Sequence, residues 1–156
     1  MRKFFLLSFF IFVNVHLNAQ QNSVLQSGNW YKIAVPDNGI YQLDINDLED
    51  LGVATSNLSV SSIKLFGNGG GMLSPKNSDF RYDDLQENAI QVIDLNGNGI
   101  FNSDDYILFY GQSPHKWNFD SISNIFNFSE HLYSDLNYYF LTIDNSSNGK
   151  RINQKP

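Results

Sequence analysis

AIQVIDLNGNGIFNSDDYILFYG, Ala89 to Gly111, sets two β-forming runs around a twelve-residue loop. Ala89 to Ile93 and Tyr106 to Gly111 are rich in β-branched and aromatic residues, which suit a pleated, half-buried surface. Between them Asp94, Asn96, Asn98, Asn102 and Asp105 fall at positions 1, 3, 5, 9 and 12 of a calcium-loop spacing. Gly99 takes the sharp turn at position 6, and Ile100 offers its backbone carbonyl at position 7. A helix–loop–helix calcium site needs a helix after the loop, whereas YILFYG reads as a strand. The loop is therefore expected to join two strands, and the chain around it to be a β-protein.

Two carboxylates, three side-chain amides and one carbonyl suit a hard, oxygen-seeking cation, so calcium is the cofactor the spacing suggests. With only two charged ligands, and with Asp rather than the longer Glu at the last position, affinity is expected at roughly 10⁻⁴ to 10⁻³ M. The competing reading is a connection built from Asx turns, in which Asp and Asn side chains bond nearby backbone and Gly97 and Gly99 supply positive φ.

Outward from this stretch the pattern stays β. In Trp30 to Val35, Tyr31, Ile33 and Val35 share one face; Pro36 to Gly39 forms a turn into Ile40 to Leu43, predicting a hairpin. Asp44 can cap a helix of about two turns, with Asp47 in its first turn, Leu48 and Leu51 facing inward and Gly52 as its stop. Ile63 to Gly67 and Tyr138 to Ile143 are further strands, and Phe80 to Tyr82 is expected as a short edge strand. Many short strands between Asn/Gly/Asp turns, with one short helix, predict a mostly β fold: an antiparallel sandwich or an open barrel.

Residues 1–19 read as a secretory signal, with Arg2 and Lys3 as the basic end, Phe4 to Val13 as the apolar run and Ala19 before the cleavage site. Residues 20–29 are expected to be a flexible N-terminus, 30–144 a β-rich accessory domain, and 145–156 a connector or truncated end. No later segment is long and apolar enough to span a membrane, so the expectation is an exported chain with no transmembrane helix after cleavage. Loss of Arg2 and Lys3 takes the formal charge from −6 to −8. No basic stripe is left to neutralise phosphates, which argues against nucleic acid. The chain has no cysteine, which excludes a thiol nucleophile, a thiolate zinc site and an iron–sulfur cluster within it.

Other chemistry-bearing residues favour structural roles. FGNGGG at 66 to 71 lacks the Lys-Ser/Thr pair and following helix of a phosphate loop, and reads as a hinged surface loop. His115 and His131 have no metal-ligand partner at helical or hairpin spacing. No serine sits in a GxSxG elbow. Asp83, Asp84 and Glu87 could serve acid/base chemistry only with an opposing wall, so a solvated loop face is the simpler reading.

Taken in order, WYKIAVPDNGIYQLDINDLEDLGV at 30 to 53, LFGNGGGM at 65 to 72, DDLQENAI at 83 to 90, DDYILFYG at 104 to 111 with His115 to Trp117, and HLYSDLNYYFLTI at 131 to 143 resemble the N-terminal region of the type IX secretion system sortase. That family comprises gingipain-like cysteine peptidases of the Bacteroidota. The resemblance implies a longer parent that removes C-terminal sorting signals from secreted cargo and attaches the cargo to the cell surface. It further implies an outer-membrane or extracellular location, with a downstream gingipain-like catalytic domain and outer-membrane type IX components as partners. The catalytic Cys/His pair has no counterpart in this chain, so no catalytic residue is assigned and the implied role is non-catalytic. The alternative is a stand-alone secreted β-module, calcium-stabilised and directed to glycan or cell surface.

Overall fold

The computed structural model describes residues 23–152. The signal segment, the first residues of the expected flexible N-terminus and the last four residues of the expected connector lie outside that range. The described residues hold nine strands and one α-helix: β1 (Trp30–Val35), β2 (Gly39–Leu43), α1 (Ile45–Asp50), β3 (Ile63–Phe66), β4 (Glu87–Asn88), β5 (Gln91–Ile93), β6 (Tyr106–Gly111), β7 (Lys116–Asp120), β8 (Ile125–Ser129) and β9 (Asn137–Ile143). The mostly β expectation holds, and of its two forms the sandwich is the one that fits, since the sheets do not close into a barrel.

One sheet runs β1-β9-β3-β4 and the second β2-β6-β5, with every strand pair antiparallel; β7 and β8 form a separate two-stranded ribbon. Side chains alternate across each sheet, so the inner face of the first carries Ile33, Val35, Ile63, Leu65, Tyr139 and Leu141. The second turns Tyr41, Leu43, Val92, Ile107 and Phe109 toward it. A ring contact joins the layers, Phe109 to Tyr139 with centroids 5.5 Å apart, and Phe109 also stacks on Tyr41 of its own sheet at 5.5 Å. Such close-packed aromatic pairs add directional attraction to area burial.

The helix forms as expected. Asp44 accepts from the backbone of Asn46 and Asp47, and the Asp47 side chain returns a bond to the Asp44 N–H, closing a capping box. Leu48 is fully buried, and Gly52 at φ +90° ends the helix.

Three local expectations are corrected. The turn at 36–39 does not close a hairpin: β1 pairs with β9 and β2 with β6, so the turn passes the chain from one sheet to the other. Asn38 anchors this passage by accepting from the Ser113 N–H, 3.0 Å, and the Tyr41 hydroxyl donates to the Asp37 carbonyl. Phe80 to Tyr82 is not a strand; the short edge strand on β3 is Glu87–Asn88. The strand placed at Ala89 to Ile93 begins at Gln91, because Ile90 leaves the ladder to bond with the C-terminal segment. The ribbon β7–β8 was not foreseen.

Both ends of the described chain are bonded to the domain. Val24 N–H donates to Asp84, 2.6 Å, and the Ser23 hydroxyl to the same carboxylate. In the segment 145–156, Gly149 N–H donates to the Ser61 carbonyl, Ile152 N–H to that of Ile90, and the Arg151 guanidinium to the carbonyls of Val60 and Ile63. Over 145–152 the contacts with the domain include polar ones both to backbone and to the Glu87 and Lys64 side chains.

Lys64, on the outer side of β3, is buried, and its ammonium donates to Asp144 at 2.6 Å and Ser147 at 2.8 Å. The Lys64 ammonium first, then the N–H and hydroxyl of Ser146, hold the Asp144 carboxyl well below the usual carboxylate range. A carboxyl whose pKa is lower folded than unfolded stabilises fully above its unfolded value, and that stabilisation is lost as pH falls. Denaturant melts are therefore expected to weaken as pH drops below about 4, and Asp144→Asn to flatten that part of the profile. An unchanged acid limb in the variant would contradict this.

Candidate functional site

The loop from Asp94 to Asp105 lies between β5 and β6 as expected, and its side chains bond its own backbone. Asp94 accepts from Gly97 and Gly99, both 2.7 Å, Asn96 from Asn98, and Asn98 from Ile100 at 2.7 Å. Gly97 and Gly99 have φ of +66° and +78°, the left-handed geometry that glycine adopts without penalty. Asp105 is 1% exposed, and its two oxygens accept from Leu95 and Asn102, both 2.9 Å. The closing carboxylate therefore staples the start of the loop to its end. A backbone exchange with the neighbouring segment adds a second hold, from Phe101 N–H to Leu58 carbonyl and Val60 N–H to Gly99 carbonyl.

These bonds do not fill the acceptor capacity of the two carboxylates. Each carboxylate has about four lone-pair sites, and those of Asp94 and Asp105 each accept two N–H groups. The Ile100 carbonyl accepts from the Asn102 amide, 3.1 Å, so one oxygen at position 7 already has a protein partner. The donor set is hard and oxygen-only, as calcium requires.

The glycine run at 69 to 71 serves packing. A Cβ on Gly70 would sit 1.9 Å from the Ser113 carbonyl oxygen, and one on Gly71 would meet the Lys116 side chain at 2.4 Å. The loop lies flat against the start of β7 because these positions have no side chain. Beside it is a cleft of about 460 Å³, lined among others by Phe80, Tyr82, Lys116 and Tyr138.

Asp84 and Glu87 act as structural acceptors. Bonds from the Val24 N–H first, then from Leu85 and Ser23, lower the Asp84 pKa. Glu87 accepts from the Lys150 N–H at 2.6 Å. The Asp84 carboxyl, held in its ionised form, is the opposite of a general acid. The histidines also hold backbone: His115 Nδ1 accepts from the His131 N–H, 3.0 Å, and His131 Nδ1 from those of Tyr133 and Ser134. Among the described residues, no group of three or more His, Cys, Asp or Glu gathers as a metal cluster. No described helix is long and apolar enough to cross a membrane.

The least expected surface is the β7–β8 ribbon. Trp117 stands across from Phe128 and Phe119 from Phe126, each pair with ring centroids 5.0 Å apart. The four rings occupy one face and are 67%, 52%, 54% and 67% exposed in that order. Their signal was present in the sequence: KWNFD and IFNFS both alternate, and SISN between them makes the turn, with Asn124 at φ +52° and Asp120 accepting from Ile122 and Ser123.

No protein-family model matches the chain, and no curated protein matches it. The fold is similar to part of a solved structure, that of dimeric latent PorU from Porphyromonas gingivalis. The likeness has a TM-score of 0.61 and 26% sequence identity, and it covers 85% of this chain. It covers 11% of the PorU chain. Most of PorU thus has no counterpart here.

Proposed function

We propose that this chain is a non-catalytic N-terminal domain of a type IX secretion sortase. The carrying observation is the likeness to PorU, the type IX sortase of Porphyromonas gingivalis, over most of this chain. The ordered sequence segments that resemble the sortase N-terminal region support the same reading. With no cysteine in the chain, the peptidase step falls to a downstream gingipain-like domain. There a cysteine-type peptidase removes C-terminal sorting signals from exported cargo and attaches the cargo to the cell surface. The role left for this domain is to pack on the catalytic part or to position it among outer-membrane type IX components. In source cells lacking residues 30–144, cargo is expected to accumulate with its sorting domain uncut, as read by mass spectrometry of cargo C-termini. Normal processing in those cells would count against the reading.

We also propose calcium as a ligand of the Asp94–Asp105 loop, through Asp94, Asn96, Asn98, the Ile100 carbonyl, Asn102 and Asp105. The observation favouring it is that Asp94, on the open side of the loop, keeps free lone pairs after its two backbone bonds are made. Calorimetry is expected to give a Kd of roughly 10⁻⁴ to 10⁻³ M, with the heat abolished in Asp94→Ala. Absence of heat in the unaltered protein would end the proposal.

A further inference from the structure

Within the ribbon, the register sets Trp117, Phe119, Phe126 and Phe128 on one side, while its two ionisable strand residues, Lys116 and Asp120, alternate to the other. No ionisable strand residue therefore lies on the aromatic side, whose one end is bordered by the His115 ring at 5.8 Å from Phe128 and 3.9 Å from the Asp135 carboxylate; the formal charge of the whole chain is −6. The counterpart of the aromatic side must be equally apolar, since a charged surface would lose its hydration against these rings without gaining a partner. The polar side runs beside the loop from Gly71 to Pro75, with which Lys116, Asn118 and Ser129 share a shallow cleft. No helix or other strand packs extensively on β7 or β8. An isolated two-stranded ribbon is marginally stable in water, and this one leaves its largest side chains exposed.

We infer that the aromatic face of β7–β8 docks on an apolar, uncharged surface of the remainder of a longer sortase chain, as a domain interface within one polypeptide. This rests on the function proposed above. Two observations select that occupant. The PorU likeness covers 11% of the PorU chain, so such a parent supplies a large amount of chain to cover the face. The area also fits: at roughly 200 Å² per aromatic residue, the four rings leave on the order of 500 Å² in water. That is below the ~800 Å² per partner of a standard interface between separate proteins, but within reach of the contacts between domains of one chain, about 600–1,500 Å² in total. Covalent linkage supplies the effective concentration that so small a face lacks.

Hydroxyl-radical footprinting of the intact protein purified from source cells tests this, with Phe80 and Tyr133, at 82% and 84% exposure, as internal references. Trp117 is expected to be oxidised roughly ten-fold more slowly than Tyr133, and Phe126 roughly ten-fold more slowly than Phe80, as buried interface rings are. Phe126→Ser, an exposed change that leaves both sheets intact, is expected to unmask Trp117 and to split a single melting transition into two. A parent longer than this chain in which Trp117 reacts as fast as Tyr133 would overturn the docking and leave the sortase reading standing. A protein no longer than this chain would overturn both. Protection that disappears on dilution would assign the face to a separate molecule and also overturn the inference.

Discussion

Asp105→Ala is expected to lower folding stability by about 2–4 kcal/mol, because it orphans two backbone donors at once. Leu95 N–H and Asn102 N–H both end on this buried carboxylate, and water cannot replace it where Asp105 is 1% exposed. Asp105→Asn keeps one oxygen but turns an NH₂ toward the second donor, so about half the loss is expected. Asp94→Ala, on the open side of the loop, should cost about 1 kcal/mol. Denaturant melts without calcium check the order. If Asp94→Ala proved the more damaging in the absence of metal, the account of the loop as a backbone-stapled β-connection would fail.

Tyr139→Ala carries the other large effect, expected at about 3–5 kcal/mol. Tyr139 is 1% exposed at the centre of the sandwich, where its ring meets Phe109 and leaves no space for a Cβ on Gly67, which would lie 2.6 Å away. Its hydroxyl accepts from the Gln112 N–H at 3.1 Å, and burial pushes its pKa up. Tyr139→Phe isolates that bond and is expected to cost about 1–2 kcal/mol. Equal losses in the two variants would mean that the ring adds nothing to the joint between the sheets.

The elements that could be read from the chain are those whose cause is local. Alternation in Trp30–Val35, the β-branched and aromatic run Tyr106–Gly111, the Asp44/Asp47 capping box and the Gly52 stop act over a few residues, and each stands where the sequence put it. Pairing was not legible in the same way. Pro36 to Gly39 has the composition of a hairpin turn, yet β1 finds β9 more than a hundred residues away, because side-chain fit across the sheet outweighs turn propensity. Phe80 to Tyr82 has strand-like residues, but the free edge of β3 is occupied by Glu87–Asn88. The ribbon alternates well, yet its aromatic face is exposed and adds nothing to the core of this domain. The segment after Ile143 has no hydrophobic period to read, and Gly149, Arg151 and Ile152 are held by hydrogen bonds to backbone.

For the loop, spacing and bonding tell the same local story up to the ion. The positions of Asp94, Asn96 and Asn98 in the sequence correspond to Asx turns in the structure, and those turns need no metal to form. For the site as a whole, Asp84, Glu87, His115 and His131 serve as acceptors of backbone N–H groups.

The central claim is that this chain works as one domain of a sortase, and the size of the polypeptide that carries it is the direct measurement. An antibody raised against residues 30–144, applied to outer-membrane fractions of source cells, is expected to detect a single exported species many times longer than 156 residues. Detection only of a secreted species of about 137 residues, the length left after cleavage at Ala19, would contradict the account.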